Sequence, residues 1–192
     1  MSTPDAPTWY VGTRDGYYVP RRDSARYPVG QGDVFIFDGM PAGWTAAQLV
    51  HPTCEVARPG VASLQVVGVH SLGDLKDDVQ RALVTAGLRE QGGAWTIAMA
   101  HTFFLWPWRR GADAAFADFR EITLIPKEGV STATRVATLT HDCRVTFIRR
   151  WLYFRFRLLL PFDDVRALEA DRIAGDAHFE GPRPAWAPAP TG

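Results

Sequence analysis

Short apolar runs, each closed off by glycine, proline or aspartate, recur along this chain, and they limit it to a β-rich core. Gly32-Asp33-Val34-Phe35-Ile36-Phe37 is the first, and a Gly/Pro turn follows it. Ala46 to Val50 is the second, and Leu64-Gln65-Val66-Val67-Gly68-Val69 comes after Pro59-Gly60. Runs of this length bounded by turn residues predict strands, because a buried helix needs a longer apolar pattern. Downstream, Arg120-Glu121-Ile122-Thr123-Leu124-Ile125, Val136 to Thr140 and Trp151 to Leu160 repeat the signal.

Two stretches break from it toward helix. After Asp74, the residues Leu75, Val79, Leu83 and Ala86 fall at helical spacing, with Asp77 and Asp78 suited to a first turn. After Pro161, Asp163-Asp164 begins a segment carrying Val165 and Leu168. The order strand, strand, His/Cys segment, strand, helix therefore occurs twice. An offset of 89 residues carries Cys54 onto Cys143 and Asp74 onto Asp163. This pattern predicts an internal repeat.

The expected organisation has five parts: an irregular N-terminal arm over 1–30, a first β half with its helix over 31–92, a connecting apolar segment over 93–118, a second β half with its helix over 119–180, and a disordered Pro-rich tail over 181–192. Trp9-Tyr10 and Tyr17-Tyr18 are expected to pin the arm. Ala112 to Phe119 reads as a short helix with Phe116 and Phe119 on one side. The fold class is mainly β with two or more short helices, the halves packed as one unit.

With 192 residues the chain can bury a core without disulfides. Its formal net charge is zero, so no whole-molecule field pulls it toward nucleic acid or an anionic membrane. No apolar run is long enough to cross a bilayer, and two cysteines are too few for a disulfide scaffold. A reducing cytoplasm is the expected compartment. Nucleotide-binding glycine loops are missing from the sequence.

The candidate chemistry lies in the two His/Cys segments. His51 and Cys54 form H-x-x-C, and His141 and Cys143 form H-x-C. If the halves meet, His51, Cys54, His141 and Cys143 make a four-ligand set suited to zinc. As a thiol site, Cys54 or Cys143 would need an imidazole to lower its pKa and a carboxylate to orient that imidazole. Cys54 with His51 and Glu55 is the more acid-rich version, since Arg144 follows Cys143. Buried structural thiols and a disulfide are the remaining readings.

A second candidate is Arg149-Arg150-Trp151-Leu152-Tyr153-Phe154-Arg155-Phe156-Arg157. As a strand it would turn Leu152, Phe154 and Phe156 inward and Trp151, Tyr153, Arg155 and Arg157 outward. Together with Arg149, and with Arg135 and Arg144 nearby, that row would bind single-stranded RNA or DNA by stacking and charge. The alternative is a sheet exterior whose arginines pair with Asp163, Asp164 or Glu169.

Two resemblances bear on these residues. Gly32-Asp33-Val34, Gln48-Leu49-Val50 and Val66-Val67-Gly68-Val69-His70-Ser71 resemble the strands of PemK/MazF-type toxins. The resemblance implies SH3-like barrel halves, a bacterial toxin-type or defence setting, and RNA cleavage by an arginine with a Ser/Thr. Ser71 falls at the end of the matching strand, His70 stands at the threonine position, and no arginine lies near Trp44 to Gln48. The segments around Cys54 and Cys143 are also similar to a His-x-x-Cys-Asp/Glu-like signature of uncharacterised bacterial small-barrel proteins. The functional expectation is a binding or interaction protein, with RNA, DNA or a protein as partner and no membrane. The rival is a thiol- or zinc-dependent hydrolase or a degenerate MazF-like endoribonuclease.

Overall fold

The computed structural model describes residues 16–175 apart from 57, 87, 92, 93, 98 and 159. The expectations for Trp9-Tyr10 and for the tail over 181–192 lie outside the described residues.

The centre of the molecule is one six-stranded antiparallel sheet. Its strands are β1 (Val34–Phe35), β2 (Ala46–Leu49), β3 (Ser63–Ser71), β6 (Thr102–Leu105), β7 (Ala115–Pro126) and β8 (Arg135–Ala137). Strands β4 (Leu88–Gln91) and β5 (Ala94–Ile97) form a separate hairpin. The order across the main sheet is β6-β7-β3-β2-β1-β8. The helices are α1 (Arg21–Ser24), α2 (Thr53–Val56), α3 (Asp78–Ala86), α4 (His141–Phe156) and α5 (Phe162–Gly175).

Both sheet faces are covered, as alternate residues of one strand show. Val67 and Val69 of β3 join Phe103, Phe119, Cys143, Phe147 and Trp151 in the larger core, beneath α4. Leu64 and Val66 point the other way and join Phe35, Leu49, Val56 and Ile125. Farther along that second face, Phe104 and Phe116 pack with Val84 of α3. In the larger core, Phe147 meets Phe103 at 5.0 Å and Phe119 at 5.7 Å, and Trp151 meets Phe119 at 5.3 Å, all edge to face.

The three strands of the first block fall on the expected runs, β1 shortened to Val34–Phe35, but the helix expected from Asp74 starts only at Asp78: Leu72–Asp74 is a 3-10 turn, Leu75 lies outside the helix, and Asp77 caps α3 by accepting from Val79 N at 2.8 Å. The second block differs. Residues 141–156 are one helix, so the expected strand from Trp151 does not form, and the strand-strand-strand-helix order is not repeated. Cys143, Phe147 and Trp151 recur every four residues, and that helical stripe fits the sheet face. Arg157, in the left-handed conformation at φ 56°, ends the helix and donates its N–H to Tyr153 O at 2.9 Å. Residues 115–119, expected as helix, are the start of β7. Phe116 and Phe119 consequently belong to different cores. The strands form an open sheet with β6 and β8 at its edges, in place of the expected pair of barrel halves.

Among the described residues, no helix is long and apolar enough to cross a membrane.

Candidate functional site

The two His/Cys segments meet at the loop Tyr27–Asp33. Asp33 is fully buried and binds two arginines, Arg135 Nη1 at 2.9 Å and Arg144 Nη2 at 3.0 Å. Gly30 N donates to the same carboxylate at 3.0 Å. Arg135 also donates to the carbonyls of Ser24, Tyr27 and Pro28. A buried ion pair survives only when its hydrogen bonds are met, and most of these are. The cluster joins α1, β8, α4 and the loop before β1. Arg135 and Arg144, expected to extend an outer basic row, are thus part of the interior.

A Cβ on Gly30 would lie 2.0 Å from Nη1 of Arg144 and 3.2 Å from Cγ2 of Thr53, so only glycine fits between the two segments. Thr53 accepts from Gln31 N at 2.8 Å, and Gln31 Nε2 donates to Val50 O at 2.9 Å. His141, at the first position of α4, packs on Tyr27 with ring centroids 5.8 Å apart. These contacts tie α2 and the start of α4 to the same loop, and α5 lies alongside. Between them lies a half-open cleft of about 270 Å³ lined by Gln31, Thr53, Cys54, Ile148, Val165 and Leu168, with Pro52 at its edge.

The two thiols differ. Cys54 is exposed at this cleft, and Cys143 is buried in the core. Burial pushes the Cys143 thiol up to about 11, against a smaller lowering by its bond to Thr140. Both cysteines are free. His51 Nδ1 accepts from Gln65 N at 3.4 Å, and its Nε2 faces Glu55 Oε2 at 3.4 Å. The imidazole is therefore engaged by β3 and by Glu55, with no hydrogen bond to Cys54. Burial favours the protonated, less nucleophilic form of Cys143 at neutral pH.

Among the described residues no three His, Cys, Asp or Glu side chains gather so as to hold a metal ion. His51, Cys54, His141 and Cys143 do not form the expected clamp, because one cysteine faces the cleft and the other faces the sheet. This donor set does not fit zinc.

The aromatic-cation row is dismantled by the helix. Five residues taken every second position on a helix point in different directions. Arg149 and Trp151 are buried, while Arg155 and Arg157 are exposed and Tyr153 is half-buried. Arg149 Nε donates to Leu160 O at 2.9 Å, which ties α4 to the start of α5. Arg155 lies 5.5 Å from the Trp151 ring centroid, and Arg157 lies 5.7 Å from that of Tyr153. These are the i,i+4 pairs of a helix surface. What remains outside is Arg155, Phe156, Arg157 and Leu158, with Phe156 67% and Leu158 47% exposed.

One polar network escaped the sequence reading. Glu121 Oε2 accepts from Trp44 Nε1 at 2.7 Å and meets His70 Nε2 at 2.9 Å. A bulge in β7, between the pairs Gly68–Asp118 and Val67–Ile122, makes room for it. Gly68 lets the indole approach, since a Cβ there would lie 2.5 Å from Trp44 Cε2. Beside it, Arg120 holds Asp118 in a two-pronged bond. Burial raises the Asp118 pKa, but the Arg120 hydrogen bonds outweigh it and the net shift is downward. A strand-interior glycine at Gly68 was the available signal.

No protein-family model matches the sequence, and no curated protein is significantly similar to it.

Proposed function

We propose that this chain is an interaction protein whose α4–α5 hairpin receives an apolar, acidic segment of a protein partner. One observation carries the reading. Leu168 is 63% exposed while it lines the apolar cleft whose opposite wall is the Cys54 turn. A large apolar side chain left out beside a concave apolar surface is the usual mark of an anchor site. On the same hairpin Phe156 and Leu158 are also exposed, flanked by Arg155 and Arg157, which favours acidic residues around the partner's anchor. A cleft of about 270 Å³ suits one inserted side chain better than a whole small ligand, since ligand sites run from roughly 300 to 1,000 Å³.

The PemK/MazF-type resemblance falls on β1, β2 and β3, which pair as an antiparallel meander. That support extends to the first block alone, and a toxin-type or defence setting for the interaction rests on it.

Selection of a random peptide library on the purified protein tests the reading. The expected yield is peptides combining Leu, Phe or Trp with Asp or Glu. Leu168→Glu, and separately attachment of a bulky maleimide to Cys54, abolish their binding. Peptides that bind both altered proteins as tightly as the wild type remove the hairpin cleft from consideration. Tight, salt-sensitive binding of a single-stranded RNA without peptide enrichment favours nucleic acid instead. Ester hydrolysis that disappears in Cys54→Ala favours the hydrolase.

A further inference from the structure

Strand β7 is longer than the strand on its outer side, and half of one edge is therefore left open. β3 pairs with it from Ser71 and Ala115 down to Ser63 and Pro126, whereas β6 pairs only with residues 115–118. The β6 side ends at Phe119, whose N–H donates to His101 O at 2.7 Å. Among the described residues no strand pairs with 120–126 on that side.

The direction of the backbone groups there follows from the hydrogen bonds of β3. Gln65 O accepts from Val50 N and His51 N, both at 3.1 Å, so Gln65 is turned toward β2. Its neighbours Leu64 and Val66 are turned toward β7, where they pair with Ile125 and Thr123. Successive residues of a strand alternate, so Ile122 and Leu124 direct their N–H and C=O groups to the open side. Proteins usually cover, shorten or charge such an edge. Here the residues between Glu121 and Pro126 are uncharged, and Leu124 is 64% exposed.

A cavity of about 580 Å³ runs along the same stretch, between residues 123–126 and a wall of Phe37, Asp38, Pro41, Glu128 and Thr134. Side chains of consecutive strand residues point to opposite faces, so a cavity touching four in a row follows the strand's edge. The other edge of these residues belongs to β3. The volume falls within the roughly 300–1,000 Å³ of ligand sites. Two carboxylates, Asp38 and Glu128, line the cavity without a lysine or arginine. Lys127, next to Glu128, reaches instead to Arg58 O at 3.3 Å.

We infer that the open half of β7 takes up an extended, basic segment of a protein partner as an added strand, hydrogen-bonded to Ile122 and Leu124, with its cations beside Asp38 and Glu128. Main-chain pairing supplies the affinity, and the two carboxylates select the sequence. The site shares no residue with the Cys54 cleft and is independent of the hairpin surface proposed above.

The test is fluorescence anisotropy of the full chain with short labelled peptides that alternate valine with lysine, or valine with glutamate. The expected result is saturable binding of the lysine peptide and none of the glutamate peptide. Two N-methylated forms of the lysine peptide, one methylated at the valines and one at the lysines, then differ. The form whose methyl groups meet β7 binds roughly tenfold more weakly, and the other keeps its affinity. The double variant Asp38→Asn/Glu128→Gln, altered only at exposed side chains, loses about threefold to tenfold and shows a flatter salt dependence. Leu168→Glu leaves this binding unchanged. Absence of saturable binding by the lysine peptide, equal affinity for the two methylated forms, or wild-type affinity in the double variant overturns the inference. So does a concentration-dependent dimer in sedimentation that Leu124→Lys abolishes, because a second copy then occupies the edge.

Discussion

His51–Cys54 and His141–Cys143 place the same two residue types within a few positions of each other, in opposite surroundings. The first segment leads into a four-residue helix at a surface cleft, with Cys54 on the helix and its histidine, two residues ahead of the helix, turned to β3 and Glu55. The second opens a sixteen-residue helix that is buried through Trp151, with its cysteine in the largest core. Their neighbours divide in the same way. Glu55 is 42% exposed in its side chain and Arg144 is 3% exposed. Similar letters thus give an outward-facing thiol in one place and a packing residue in the other. The contrast comes from the element each motif falls on, since a long helix over a sheet buries one stripe and a short turn at an edge buries little.

The strongest way to break this contrast is to remove the ion cluster that joins the two segments. Asp33→Ala strands Arg135 and Arg144 in the interior. The expected loss is about 3–5 kcal/mol, the usual cost of leaving buried charges unpaired. Urea denaturation measures it, and a loss under about 1 kcal/mol would show that the two segments are held by something else. Cys143→Ser comes next. It puts a hydroxyl in an apolar slot and costs about 1–3 kcal/mol, measured in the same way.

Titration of Cys143 sharpens the comparison from another side. Burial pushes its folded pKa up to about 11 from an ordinary 9.0, so the native state favours the neutral thiol. The unfolded chain therefore loses its proton first as pH rises. The contribution of this group to stability is fully present below about pH 9 and is lost as pH climbs from 9 through 11. Cys143→Ala is expected to flatten that decline. An identical slope in wild type and variant would place the alkaline loss elsewhere, for example on the other ionising groups.

Much of the first half was legible because its strands are short apolar runs with turn residues at both ends, which leaves few alternatives. The second half was not, for two physical reasons. Leu152, Phe154, Phe156 and Leu158 alternate with polar residues, and that imitates a strand. The helical stripe of Cys143, Phe147 and Trp151 is interrupted by Arg144, Arg149 and Arg150, which look like surface residues and are buried. Arg150 shows the cost, since burial pulls its pKa down to about 10 despite the nearby Tyr17. Partners distant in sequence set those burials. Asp33 lies 111 residues from Arg144, and no local pattern announces the pair. Cys54 was legible as a candidate for the opposite reason, because its surroundings are set mostly by the turn around it.

The smallest expected effects belong to that turn. Cys54→Ser and Glu55→Gln should each change stability by less than about 0.5 kcal/mol, because the thiol is exposed and the Glu55–His51 contact is a partly exposed pair at 3.4 Å. The reactivity of the two thiols should nevertheless differ widely. A thiol reagent such as dithiobisnitrobenzoate is expected to modify one cysteine of the native protein, lost in Cys54→Ser, and to reach the second only in urea. Equal rates at both thiols would mean that the first turns of α4 open readily from the sheet. The burial of Cys143, Phe147 and Trp151 in one stripe argues against such opening, since exposing Cys143 requires lifting the aromatic contacts of Phe147 with Phe103 and Phe119. A rapid single modification with unchanged stability would therefore separate the two segments by the property that most distinguishes them, access to the thiol, with the fold held constant.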